Sequence, residues 1–127
     1  MNFKKGESNI MKNKIYTFEE IKLIVKPIFE KYKIEKAYLF GSYARKEANE
    51  KSDIDIMIVK ENSNIISLLN LAEFEEELEK ALNKKIDIII EETYTKEIIS
   101  ENKYGKLAKE LFYKQIINDR RILYDKS

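Results

Sequence analysis

Two aspartates separated by a single isoleucine, Asp53-Ile54-Asp55, open the β-branched run Asp53-Ile54-Asp55-Ile56-Met57-Ile58-Val59. Side chains alternate along a strand, so both carboxylates leave one face while Ile54, Ile56 and Ile58 leave the other. Aspartate suits strands poorly, and two like charges about 7 Å apart repel, so the arrangement calls for a cation between them. A later run, Lys85-Ile86-Asp87-Ile88-Ile89-Ile90, repeats the oddity, and Asp87 joins the other two if the strands are neighbours. A cluster of oxygen donors alone suits Mg²⁺ or Mn²⁺, which bind through carboxylates and substrate phosphates, and so points to a nucleotide. The plainer alternative makes Asp53 a turn residue, pairs Asp55 with a lysine and leaves Asp87 solvated at a sheet edge; the strand alternation argues against it.

Ten residues separate Asp53 from the dipeptide Gly41-Ser42, which directly follows the apolar run Ala37-Tyr38-Leu39-Phe40. Glycine permits close backbone approach, and serine adds a hydroxyl and an N–H towards a phosphate oxygen. The rest of the inventory narrows the chemistry. The chain has no Cys and no His, which excludes thiol catalysis, imidazole bases, disulfides and ordinary zinc sites. With 24 Lys+Arg against 23 Asp+Glu the net charge is +1, so no bulk field draws the protein to nucleic acid or to anionic lipid. Only three of the cations are arginines, so Arg45, three residues past the dipeptide, stands out as a phosphate contact or a structural ion pair.

The elements that must hold these residues follow from periodicity. Thr17-Phe18-Glu19-Glu20 has capping-box spacing, and apolar residues then recur helically to Tyr32, with a kink near residues 23–27 or a late start expected from Pro27. Strands are expected at 37–40, 53–59 and 85–90, a helical turn within 43–48, and an amphipathic helix over 65–82 whose stripe Leu68, Leu71, Phe74, Leu78 reads as core. Tyr38 and Tyr43 also read as core. Helical spacing returns after Glu92, and a short strand at 122–124 closes the chain. The order is that of an α/β domain, a small mixed sheet covered by helices, with the crossover helix making the second and third strands parallel neighbours. Residues 1–13 are polar and aperiodic and read as a flexible leader, leaving 14–127 as a single domain. No run approaches the roughly 18 apolar residues of a membrane span, and no signal peptide is evident, so a cytoplasmic protein is expected. Lys84, Lys85, Arg120 and Arg121 read as solvated surface charges.

Gly41-Ser42, ten intervening residues and Asp53-x-Asp55 together resemble the GS-x10-DxD signature of the polymerase-β nucleotidyltransferase superfamily. Tyr38-Leu39-Phe40-Gly41-Ser42-Tyr43-Ala44-Arg45 is similar to the family's LFGSxAR segment, and Asp87 falls where its third carboxylate is expected. The resemblance spans about residues 17–124. One departure is Lys46, where the family usually has glycine; a tuned ATP affinity is the expected effect. The short chain resembles the minimal nucleotidyltransferases, commonly encoded beside a HEPN-domain protein as the antitoxin of a toxin-antitoxin pair.

That resemblance implies a polymerase-β-like fold and an enzyme that transfers AMP from ATP to a tyrosine hydroxyl of the HEPN toxin. It implies that Gly41 and Ser42, with Arg45, bind the nucleotide. It also implies that Asp53, Asp55 and Asp87 are the catalytic residues and the ligands of two Mg²⁺ ions, with Mn²⁺ as a substitute. In-line attack on a phosphorus needs positioning and charge neutralisation more than a titrating base, so the absence of histidine is no obstacle. Two alternatives stay open: nucleotidyl transfer to a small molecule, and a non-catalytic antitoxin that binds its toxin by occlusion. A membrane partner or direct nucleic-acid binding is not expected.

Overall fold

The computed structural model describes residues 14–126; the expected leader, residues 1–13, lies outside the described residues. The first helix, α1 (Phe18–Lys31), starts as the sequence predicts, with the Thr17 side chain accepting from Glu20 N–H and the Glu20 carboxylate accepting from Thr17 N–H. Pro27 sits inside it without ending it. Pro27 and Leu23 are both exposed, so water can take the carbonyl that the proline ring leaves unpaired.

The chain continues through β1 (Lys36–Phe40), a single turn α2 (Gly41–Ala44), β2 (Ile54–Val59), α3 (Leu68–Leu82), β3 (Ile86–Ile90), α4 (Glu91–Ser100), α5 (Lys103–Asp119) and β4 (Arg121–Asp125). The four strands form one mixed sheet in the order β3-β2-β1-β4. β1 pairs antiparallel with β2 and β4, and α3 carries the chain over to lay β3 parallel to β2, as the length of that helix implies. Ser67 caps α3 by accepting from Asn70 N–H, and Asn83 closes it in the left-handed region at φ 51°. The helix therefore begins three residues later than predicted, and Leu68 is exposed rather than core, while Leu71 packs partly and Phe74 and Leu78 fully against the core.

Two apolar layers sandwich the sheet. On one face α1 (Ile21, Val25, Phe29) and α3 (Phe74, Leu78, Leu82) pack on Leu39, Ile54, Ile56, Ile58 and Ile86. On the other, Tyr38, Phe40 and Met57 meet Ile116 of α5, with Val59, Ile89 and Tyr113 around them. Alternation in β2 and β3 assigns their isoleucines at even positions to the first layer and leaves Asp55 and Asp87 on the α5 side. Tyr38 and Tyr43 are both buried, as expected. Among the described residues no helix is long and apolar enough to cross a membrane.

Candidate active site

Three residues lie side by side where β1 ends and β2 and β3 begin. Phe40 is opposite Asp55 across the antiparallel ladder, and Asp55 is opposite Asp87 across the parallel one. The strands supply the pairing through their register, so two carboxylates far apart in sequence become direct neighbours. Asp53 precedes the first ladder residue, Ile54, instead of lying within the strand as predicted, since Ile54 N–H is taken by the Lys85 carbonyl at 3.1 Å.

Gly41 turns the chain immediately after Phe40 with φ +73°, a backbone that residues with a Cβ rarely adopt. A Cβ there would overlap Asp55 Oδ2 and stand 3.0 Å from its Cγ. Glycine is thus required twice, for the turn and for the close approach of the loop to the carboxylate. The turn is held by Arg45 N–H donating to Gly41 O at 3.1 Å and Glu47 N–H donating to Ser42 O at 2.9 Å.

Burial pushes the Asp55 carboxyl up to about 6, and the charge of Asp87, a hydrogen bond shared with it and the charge of Asp53 push the same way; only Arg45 opposes them. Lys85 stands between the outer two carboxylates, its Nζ 3.9 Å from Asp53 Oδ2 and 4.0 Å from Asp87 Oδ1. Sequence reasoning expects three converging carboxylates; here Asp55 and Asp87 meet and Asp53 is linked through the lysine. Among the described residues no three carboxylates already form a metal shell. The residues nonetheless fit a hard divalent cation: the donors are oxygens, and the central carboxyl, raised by burial and by the like charges of Asp87 and Asp53, is one whose ionised form a cation would favour.

A cleft of about 380 Å³ opens beside this row, lined by Gly41, Ser42, Arg45 and Asp55 on one side and by α5 on the other. Arg45 lines it while pairing through Nε with Glu47 at 3.1 Å and through Nη1 with Asp119 at 3.6 Å, so both of its sequence-based roles remain compatible with its position. Lys46 does not line this cleft; it borders a separate groove with Tyr16, Thr17 and Tyr43, at φ +61°.

Four cations read as plain surface are structural or site-adjacent. Besides Lys85, Lys84 is buried and donates to the Glu50 carbonyl at 3.0 Å, tying the loop before Asp53 to the end of α3. Arg120 donates to Glu91 Oε2 at 2.8 Å and lies 3.8 Å over the Tyr38 ring, and Arg121 covers Phe18 at the same distance. Arginine's scarcity was the available signal, and it applied to all three arginines. The α5 residues of the cleft, Phe112, Gln115 and Asp119, carry no signal in the sequence beyond their helical spacing.

Residues 24–107 match the family model described as polymerase beta, nucleotidyltransferase. The chain belongs to this nucleotidyltransferase family. Among its relatives, a candidate protein adenylyltransferase of Methanocaldococcus jannaschii, MJ1379, is 43% identical over 94 residues, 68% of this chain and 94% of that protein. The protein adenylyltransferase MntA of Thermococcus cleftensis is 40% identical over 78 residues, 58% of this chain and 77% of the relative. Solved structures share the fold at lower identity. A chain from a toxin-antitoxin crystal structure with AMP-PNP superposes with a TM-score of 0.58 at 19% identity, covering 82% of this chain and 73% of that one. A chain from the complex of tri-AMPylated Shewanella oneidensis HEPN toxin with MNT antitoxin gives 0.54 at 17% identity, covering 86% and 73%. The family's nucleotidyltransferase fold is thus the one its glycine-serine loop and aspartates occupy here.

Proposed function

We propose that this nucleotidyltransferase moves AMP from ATP to a tyrosine hydroxyl of a partner HEPN toxin and so acts as its antitoxin. The observation that carries the chemistry is the register pairing of Asp55 with Asp87 beside Gly41. The acceptor and the antitoxin role rest on the relatives, whose names include protein adenylyltransferase MntA and whose structural counterparts are toxin-antitoxin complexes.

In this reading Gly41 and Ser42 present backbone N–H groups and a hydroxyl to the triphosphate, and Arg45 adds charge from the cleft wall. Asp53, Asp55 and Asp87 would hold two Mg²⁺ ions, and such ions would supply neutralisation of phosphate charge and acidification of the acceptor hydroxyl. Lys85, between Asp53 and Asp87, partly offsets their charge, the role that the cations would take over. The acceptor oxygen forms a bond to the α-phosphorus while the bond from that phosphorus to the bridging oxygen breaks, and pyrophosphate leaves with the electron pair. Asp87, with its side chain 48% exposed at the cluster's edge, takes the hydroxyl proton.

Incubation with α-labelled ATP and Mg²⁺, with and without a HEPN protein encoded beside it, tests the reading. Label on the HEPN protein with the wild type, and none with Asp53→Ala or Asp55→Asn, is the expected result. Full neutralisation of the toxin by both variants without label transfer would replace it with binding by occlusion.

A further inference from the structure

The cleft beside Asp55 has a far wall that lies beyond the family match, which ends at residue 107. Phe112, Gln115, Ile116 and Asp119 occur at three- and four-residue spacing on α5 and line the cleft together. Phe112 is 43% exposed, yet its ring is fixed edge-on, 6.4 Å from Phe40 and 6.1 Å from Tyr94 between centroids. Its position is therefore set by packing while part of the ring remains open. Gln115, one turn on, presents an exposed amide to the same cleft. At the C-terminal end of this row Asp119 pairs with Arg45, which ties the helix to the glycine-serine loop across the cleft.

The carboxylate row has a second cleft on its other flank, of about 510 Å³, lined by Glu50, Lys51, Asp53, Glu79, Lys84 and Lys85 among others. That lining is charged and holds no aromatic ring, so it has nothing on which a heterocycle would stack. The α5 side combines a fixed aromatic edge, an apolar floor from Phe40 and Ile116, and a two-way amide within one cavity that also reaches Gly41 and Ser42.

We infer that α5 is the base-reading wall of the site: Phe112 supports the nucleobase and Gln115 reads its edge, selecting adenine. The inference rests on the nucleotide-binding reading of the Gly41-Ser42 loop and adds the residues that choose among nucleotides. A glutamine amide accepts from the adenine N6 amine while donating to a neighbouring ring nitrogen, whereas guanine places a carbonyl where the amine would be.

Calorimetric titration of the full chain in Mg²⁺ with ATP, GTP and inorganic tripolyphosphate separates these parts. Phe112→Leu, which keeps apolar packing on Phe40, weakens ATP about tenfold and leaves tripolyphosphate within about twofold; Phe112→Trp restores ATP. Gln115→Ala, at an exposed position, brings ATP and GTP within about twofold of each other, from about tenfold apart in the wild type. Equal losses for ATP and tripolyphosphate in well-folded Phe112→Leu, or an unchanged ATP-to-GTP ratio in Gln115→Ala, would overturn the assignment of α5 while leaving the loop's role intact. A wild type that binds neither ATP nor tripolyphosphate would overturn both.

Discussion

Replacing Asp55 with asparagine should stabilise the protein while abolishing transfer. In the folded chain the carboxyl is raised from 3.8 to about 6, chiefly by burial and then by Asp87 and Asp53. A shift of about two units corresponds to about 3 kcal/mol of unfavourable charging at neutral pH. Solvent reaches the side chains of Asp53 (40%) and Asp87 (48%) and screens part of this, leaving about 1–2 kcal/mol. The sign follows from linkage. Because the folded state holds the proton more tightly, Asp55 costs nothing below about pH 4, and the cost grows as pH rises through 6. The substituted amide carries no such charge. The variant's gain should therefore be near zero at pH 4, grow through pH 6 and level off above pH 7 at about 4–8 °C in Tm. Thermal unfolding without divalent cation, followed by circular dichroism across pH 4–8, reads this directly. A gain of the same size at every pH would place its origin outside charge, and a loss at pH 7.5 would refute the account of Asp55 as a carboxylate held against its own electrostatics.

Gly41→Ala should eliminate AMP transfer and destabilise the fold by about 2 kcal/mol or more, because the new methyl meets the Asp55 carboxylate at a left-handed φ; denaturant melts and labelled-ATP assays measure the two effects. Lys46→Gly should raise stability by up to about 1 kcal/mol, since Lys46 holds φ +61°, and should leave the ATP dissociation constant unchanged, because Lys46 borders a different groove. An altered ATP affinity by calorimetry would instead restore the expectation drawn from its place in the motif. Arg120→Ala should cost about 1–2 kcal/mol in urea unfolding, through the lost Glu91 ion pair and the lost stacking over Tyr38.

The candidate motif is legible because its spacing is local. Gly41-Ser42 and Asp53-x-Asp55 need only a strand, a turn and a strand, and periodicity reveals each of them. Asp87 was legible through one further step, the long helix that makes β2 and β3 parallel. The finer geometry was not. That Asp53 falls just outside the ladder depends on a bond between Ile54 N–H and the Lys85 carbonyl, a contact between distant segments. Lys84 and Lys85 look alike in sequence, yet one is buried against a loop carbonyl and the other stands between two aspartates, because the strand start places them on opposite sides of the backbone. The glycine usual after the Ala-Arg pair has its explanation in the positive φ of Lys46, which no pattern of hydrophobicity encodes. Phe112 and Gln115 reach the cleft only through the docking of α5 on the sheet.

The loop and carboxylates on one side of the cleft come from residues 41–87, whereas its opposite wall is a single helix beginning at residue 103. The two sides are joined by the Asp119–Arg45 pair, the packing of Phe112 and Ile116 on β1 and of Ile116 with Met57 of β2, the contacts of Arg120 with Glu91 and Tyr38, and the return of the chain through β4. Such a division puts the aspartate row and the helix that faces it on separate stretches of the chain, with Arg45 and Phe40 as the links between them. On the role inferred for α5, the reaction and the choice of what enters the cleft rest on separate stretches of the chain.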